Sequence, residues 1–360
     1  MPGTVSRASA ATAEDPTSAR AELERLLGRV QGRLERLLAA ERHEWQEHNP
    51  DALALVDAVA QIVFSGGKRL RPAFCAAGYL AAGGAPTAPD VVDVAAALEA
   101  LHTFALLHDD VMDASELRRN KPTAHVAHAE LHRREGWRGE PRRYGEGVAV
   151  LAGDLALTYA NRLAAGAPPQ VMEVWGELCT ELMAGQYLDI RAAARFHPDP
   201  ELARHIAVFK SGRYTISRPL ALGALLAGGA ADTLAAFEEY GLAVGEAFQF
   251  RDDLLDAFGD PNTTGKPGQL DFKQHKMTLL MSFALRDEPA VSDLVAGDLA
   301  GTDPDELYAT LVRTGIRDRV ESVIEERVKV ACEAVRAADI STQWAAELST
   351  MAHQAAYRDH

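Results

Sequence analysis

Cysteine is scarce in this chain of 360 residues: there are three, Cys75, Cys179 and Cys332, far apart along the sequence. An odd, scattered set builds no disulfide framework, and the absence of a CxxC pair removes the usual zinc signature. A reducing, cytoplasmic setting is therefore expected. Long apolar runs are missing too. The longest uncharged stretch, 72–89, is broken by Gly83-Gly84, Pro86 and Pro89, whereas a membrane span takes about 20 unbroken apolar residues. No transmembrane segment is expected, and no apolar core of a signal peptide stands near the start. Residues 1–16 are rich in Ala, Ser and Thr, and Glu14 and Asp15 speak for a disordered tail rather than a transit peptide. Positive charge is in deficit: 37 Lys and Arg face 52 Asp and Glu, a net charge of −15. That balance excludes the broad basic face of a nucleic-acid binder.

Alternation of β-branched residues with period two is also missing, and no fixed-period repeat stands out. What is present is helical periodicity. Leu23, Leu26, Leu27, Val30, Leu34, Leu37 and Leu38 recur at helix spacing, behind an Asp15-Pro16-Thr17-Ser18 start signal. A second apolar segment, 53–64, stops at Gly66-Gly67; a third runs from Arg71-Pro72 to Gly83-Gly84; a fourth runs from Pro89 through Asp113. The Arg- and Gly-rich segment 132–147 reads as a loop, as does 259–268. No linker or composition break divides the chain, so one all-α domain over 17–360, a large helical bundle around a central cavity, is expected.

Two aspartate clusters carry the chemistry. Asp109-Asp110-Val111-Met112-Asp113 and Asp252-Asp253-Leu254-Leu255-Asp256 are both DDxxD. On a helix the first and fifth residues share a face, so Asp109 projects with Asp113 and Asp252 with Asp256. Like charges so placed repel, and a divalent cation is the simplest compensation. A donor set of oxygens alone favours Mg²⁺, which is commonly shared between a few carboxylates and a substrate phosphate. Taken singly, either cluster reads equally well as a solvated helix face. Each, however, follows an apolar approach, Phe104-Ala105-Leu106-Leu107 and Ala247-Phe248. Basic residues stand close by in sequence. Gly66-Gly67-Lys68-Arg69-Leu70-Arg71-Pro72 joins a glycine turn to a helix start, and Arg118-Arg119-Asn120-Lys121-Pro122 follows the first cluster. Glycine turns, free backbone N–H groups and cations suit a diphosphate. A metal–diphosphate site built by facing helices of a bundle follows.

With these residues in view, the chain resembles the isoprenyl diphosphate synthases, the trans-prenyltransferases, and within them the short-chain geranylgeranyl diphosphate synthases. The resemblance rests on an ordered series: GGKRLRP at 66–72, LHTFALLHDDVMD at 101–113, RRNKPTAH at 118–125, GDLAL at 153–157, GQYLD at 185–189, KSG at 210–212, FQFRDDLLD at 248–256, GKPGQLDF at 265–272 and HKMTLL at 275–280. It implies that Lys68, Arg71, His102 and Arg119 bind isopentenyl diphosphate. Asp109, Asp113, Asp252 and Asp256 would hold Mg²⁺, three ions in all, together with an allylic diphosphate assisted by Arg118, Lys210, Lys266 and Lys276. Ser211 and Gln249 would lie near the reacting carbons, and Gln186 and Asp189 would support the metal region. Asp110 and Asp253 face away from their partners and His108 is expected to pack, while His125 and Asp154 stay open.

The implied reaction is a head-to-tail prenyl transfer, in which the allylic carbon–oxygen bond ionises, isopentenyl diphosphate attacks the cation, and a proton leaves to the released diphosphate. Phe104 lies five residues before Asp109, about 7.5 Å up the helix, with Ala105 small and Leu101 a further turn away. A lone aromatic there, with no insertion in DDVMD, is associated in the family with a C20 product; farnesyl diphosphate is the alternative. A homodimer is expected by the same resemblance. The sequence departs from the family at Asn120, where glycine is usual, at Ser211, where threonine is usual, and in the DFKQHK run. A terpene cyclase would need no Lys68, Arg71 and His102 pocket; an inactive partner subunit would tolerate loss of one aspartate motif, and a helical scaffold would require both motifs to be solvated faces.

Overall fold

The structure, a computed structural model, describes residues 16–195, 197–259, 276–295 and 303–358. The expected tail, apart from Pro16, and most of the expected loop at 259–268 lie outside the described residues. The chain runs through α1 (Pro16–His48), α2 (Leu53–Val63), α3 (Leu70–Ala81), α4 (Asp90–Met112), a short β-ribbon (Leu117–Arg118 with Lys121–Pro122), α5 (Ala124–Arg134), α6 (Pro141–Ala164) and α7 (Pro169–Arg195). Next come α8 (Pro200–Ile206), a π-helical segment (Ala207–Ser217), α9 (Arg218–Leu226) and α10 (Ala231–Phe258). The described C-terminal helices are α11 (Leu279–Asp287), α12 (Pro289–Val295), α13 (Pro304–Arg313), α14 (Ile316–Ala337) and α15 (Thr342–Ala356). The expected all-α bundle is observed.

The stops and starts follow local chemistry. Asp199 accepts from Leu202 N at 3.0 Å, Thr278 from Met281 N at 3.2 Å and Ser341 from Trp344 N at 3.3 Å; each satisfies an amide that a helix start leaves unpaired. The expected loop over 132–147 is observed only over 135–140, with helix on either side. Helix α5 reaches Arg134, and α6 starts at Pro141 behind Glu140, whose carboxylate accepts from Arg142 N and Arg143 N at 2.9 and 2.7 Å. Gly136 and Gly139 lie in the connection with left-handed backbone, φ of 63° and 100°, whereas Gly145 lies inside α6 for packing: a Cβ there would stand 2.0 Å from His125 O of α5.

Helix α4 runs through the centre of the apolar core. Leu98, Leu101 and Leu107 are fully buried, and Phe104 is nearly so. Among the described residues it is also the one helix with the length and apolarity of a membrane span, which here reflects its burial against other helices. It ends in the first aspartate motif, so the core itself positions those carboxylates. Helix α10 does the same for the second motif, with Phe237, Tyr240, Val244 and Phe250 buried along it. Full burial of each such side chain stabilises the fold by roughly 1.5–3 kcal/mol.

Two glycines let α10 approach the π-helical segment. A Cβ on Gly245 would fall 1.9 Å from Gly212 Cα, a backbone atom that cannot give way. Gly245→Ala is therefore expected to destabilise the protein by about 1–3 kcal/mol through overpacking. The same change at Gly176 in α7, where a Cβ would meet nothing within 4 Å, should stabilise it by about 0.5–1 kcal/mol through helix propensity. Denaturant melts of the two variants check the opposite signs.

Candidate active site

The first aspartate motif is embedded in cations from three separate elements. Lys210 of the π-helical segment donates to Asp189 Oδ2 of α7 at 2.6 Å and lies 3.5 Å from Asp109 Oδ1. Lys276, just before α11, donates to Asp113 Oδ2 at 2.9 Å. Gln186 of α7 donates to Asp109 Oδ1 at 3.0 Å. Burial alone would raise the Asp109 carboxyl, but Lys210, Lys276 and Arg118, with the Gln186 hydrogen bond, outweigh it and hold it below the usual carboxylate range. Burial likewise works against a charged Lys210, and Asp189 and Asp109 overcome it, so the ammonium is retained.

Asp110 does face away, and it does a different task. It is 1% exposed and takes a forked contact from Arg118, Nε at 3.0 Å and Nη2 at 2.7 Å to Oδ1. Burial pushes this carboxyl up against the pull of Arg118. The fork fixes the guanidinium, which also stands 3.9 Å from Asp109 Oδ2. Arg118 is thus a positioned cation at the rim of the motif and already anchored by its neighbour.

Arg119 and Asn120 form the two-residue turn of the β-ribbon, in which Arg118 pairs with Lys121. Both have left-handed backbone, with φ of 51° and 60°, the geometry of a tight hairpin turn. Asparagine is the residue after glycine that tolerates this conformation best. The departure at Asn120 therefore keeps the turn. Arg119, placed by it, donates through Nη1 to Ser65 Oγ at 2.7 Å and lies over Gly67, where a Cβ would stand 2.6 Å from Nη2.

A second cationic cluster forms beside this turn. The Arg71 guanidinium sits 4.1 Å above the Tyr214 ring, and Tyr214 Oη lies 3.3 Å from His102 Nδ1. Arg71 Nε is buried without a hydrogen-bond partner among the described residues. Burial, followed by the fields of Arg71, Arg118 and Arg119, holds His102 well below its usual pKa, so the ring is neutral at neutral pH. The structure thus brings Arg71, His102 and Arg119 near one another, while Lys68 is exposed on the same loop. Sequence reasoning passed over Arg69 and Tyr214. Arg69, with left-handed φ of 46°, caps α3 and ties the loop to Gln31 of α1 at 2.6 Å and to Glu99 of α4 at 3.1 Å.

The second motif is reached from the same π-helical segment. Ser211 Oγ donates to Gln249 Oε1, and Gln249 Nε2 donates to Asp253 Oδ1 at 2.9 Å. The hydroxyl kept at Ser211 is the group that makes this contact. Asp252 is paired with Arg358 near the chain end, whose guanidinium stacks 3.7 Å above Phe248; no local pattern links residues so distant in sequence. Asp256 is half-buried on the same helix. Lys266 lies outside the described residues. His108 packs as expected, edge-on to Phe104 at 4.8 Å, with Nε2 3.0 Å from Val150 O. Ala105 is half-buried and Leu101 fully buried on the same helix.

A polyprenyl synthetase family model matches residues 53–307. A short chain isoprenyl diphosphate synthase from Methanothermobacter thermautotrophicus is 31% identical over 288 residues, covering 78% of this chain and 83% of that protein. A geranylgeranyl diphosphate synthase from Mycobacterium tuberculosis is 32% identical over 291 residues, covering 77% of this chain and 78% of the relative. Among solved structures, the geranylgeranyl pyrophosphate synthase from Corynebacterium glutamicum, complexed with isoprenyl diphosphate and magnesium, superposes with a TM-score of 0.88 at 33% identity, over 93% of this chain and 99% of that one. With both aspartate motifs, the cation clusters and the helical bundle in agreement, this chain belongs to the polyprenyl synthetase family of prenyltransferases.

Proposed function

We propose that the protein is a short-chain prenyl diphosphate synthase that joins isopentenyl diphosphate to an allylic diphosphate and makes geranylgeranyl diphosphate. The observation that carries this reading is that consecutive residues, Lys210 and Ser211, reach the two aspartate motifs, one through Asp109 and the other through Gln249 and Asp253. A single rigid turn thereby sets both acidic clusters relative to each other.

The donor set fits Mg²⁺. Asp109, Asp113, Asp252 and Asp256 offer carboxylate oxygens only, and three of them rest against the cationic side chains of Lys210, Lys276 and Arg358. When bound, up to three Mg²⁺ ions would supply positive charge to the allylic diphosphate as it departs. The protein's own contribution is fixed charge. Lys210, Lys276 and Arg118 sit where the leaving diphosphate gathers negative charge, in an arrangement already built before substrate arrives. Lys266 would add to them. Arg71, His102, Lys68 and Arg119 form the cluster suited to the isopentenyl diphosphate. The neutral His102 can donate or accept a hydrogen bond without repelling the nearby arginines. Ser211 and Gln249 hold each other at the face between the clusters, next to where the carbons would react.

Phe104, with Leu101 and Ala105, is the proposed floor of the product tunnel. Its ring is fixed by the edge contact with His108, and His108 in turn rests on Gly153, where a Cβ would come 2.2 Å from the imidazole. The apolar residues Val150 and Leu151 of α6 and Met183, Tyr187 and Ile190 of α7 are exposed, which supports association of two copies into a homodimer. Cys75, Cys179 and Cys332 carry free thiols, which suits a reducing, cytoplasmic setting. Helices α10 and α14 carry residues of both apolar clusters, which supports a single domain over 17–360.

Incubation with isopentenyl and farnesyl diphosphates should give a C20 alcohol after dephosphorylation, with Mg²⁺ and not with chelator; no elongation under either condition would refute the reading. Asp252→Asn should lower turnover by about 10²–10³, with circular dichroism unchanged. Phe104→Ala should shift the product distribution beyond C20 by mass spectrometry, and an unchanged C20 product would remove Phe104 from the tunnel floor.

A further inference from the structure

A cleft of about 630 Å³ lies between α1 and the start of α4, and its walls carry Arg25, Arg29, Arg33 and Arg36 with a single acid, Asp93. In a chain of net charge −15 this cleft is a local excess of positive charge. The spacings of four, four and three residues place the arginines in one stripe along α1. Asp93 accepts from Arg33 Nε at 2.6 Å and neutralises one of them. Arg29 is held by three backbone carbonyls, Pro86 O at 2.6 Å, Thr87 O at 3.0 Å and Ala88 O at 2.8 Å. Carbonyls orient a guanidinium but leave its charge uncompensated, and two of its five N–H groups remain unspent. Arg25 and Arg36 have no ion-pair partner among the described residues.

The floor of the cleft is also unusual. Gly28 and Gly32 lie within α1, where each glycine costs the helix about 1 kcal/mol relative to alanine. A Cβ on Gly28 would meet nothing within 4 Å, and one on Gly32 would meet only the Arg36 guanidinium at 3.3 Å. Among the described residues no neighbouring helix requires them to be small. Their effect is to keep the space beneath the arginines open.

We propose that this cleft is an anion site for a phosphate-bearing ligand of the diphosphate class, separate from the catalytic centre. Guanidinium forks match phosphate oxygens in pairs. Arginines four residues apart stand about 6 Å apart along the helix, a spacing that lets neighbouring guanidiniums meet two linked phosphates. The volume suits a small ligand. Pro89 and Val92 are the apolar side chains of the lining, so recognition rests on the head group rather than on a prenyl chain. Asp93 and Asp109 are sixteen residues apart on α4, about 24 Å, which separates the cleft from the aspartate motif. Inorganic diphosphate and the diphosphate group of an ester share the required chemistry.

Titration calorimetry with inorganic diphosphate, in chelator and at low salt, tests the proposal. Wild-type protein should show two binding components, one from the cleft and one from the Arg71 cluster. Arg25→Gln with Arg36→Gln should weaken the first at least tenfold and leave the second; Lys68→Gln with Arg71→Gln should do the reverse. Glutamine keeps helix propensity at the exposed Arg25 and Arg36, and unchanged melting curves verify the fold of both double variants. Geranylgeranyl diphosphate added to the Lys68/Arg71 double variant separates the sources: displacement of inorganic diphosphate assigns the shared head group, and failure to displace it assigns the inorganic ion. Absence of metal-free binding in that double variant, or binding that the Arg25/Arg36 changes leave unaltered, would overturn the cleft proposal. Loss of the Arg71-dependent component alone would count against the catalytic reading instead.

Discussion

The contact between Lys210 and the carboxylates of Asp109 and Asp189 is the constraint on which the site depends. Three helical elements meet there, and each brings charge that would be costly alone. Two partly buried carboxylates without a cation would repel, and a partly buried ammonium without carboxylates would lose its proton more readily. Together they hold α4, α7 and the π-helical segment in one register. Because the next residue, Ser211, grips Gln249, the same turn carries the position of the first motif to the second. A π-helical segment at this point is consistent with the use of such irregular turns at functional sites. It persists because Gly212 and Gly245 let α10 lie against it.

Much of this was legible in the sequence, for identifiable reasons. Asp109 with Asp113 and Asp252 with Asp256 follow from helix periodicity, and so does Asp110 facing away from its two neighbours in the motif. The end of α4 was readable because its apolar run continues without interruption into the motif. The irregular parts were less readable. Nothing in Lys210-Ser211-Gly212 announces a π-helical turn, since the departure from α geometry depends on what packs against it. The loop between α5 and α6 is real but shorter than the Gly- and Arg-rich run 132–147, because Gly145 serves a close helix contact rather than a turn. Asn120 looked like a loss, yet its φ of 60° is one asparagine accepts. Arg358 reaches Asp252 across the fold, and sequence separation hides such a pair.

The two ends of α4 divide the labour of the molecule. Its C-terminal end carries carboxylates that gather cations, and its N-terminal end borders arginines that gather anions. Between them lies a mostly buried and mostly apolar stretch that cannot shift without opening the core. That rigidity is what a preorganised electrostatic site needs, because charges that do not move cost no reorganisation during reaction.

The charge balance at Lys210 can be measured directly by thermal melting of Lys210→Gln, in chelator and then with Mg²⁺ and inorganic diphosphate. If Lys210 is the cation that holds the carboxylates together, the variant should lose about 1–3 kcal/mol in chelator and recover most of it when metal and diphosphate supply the missing charge. Equal melting of variant and wild type in chelator would contradict the account, because Asp109 and Asp189 would then tolerate each other without a cation between them.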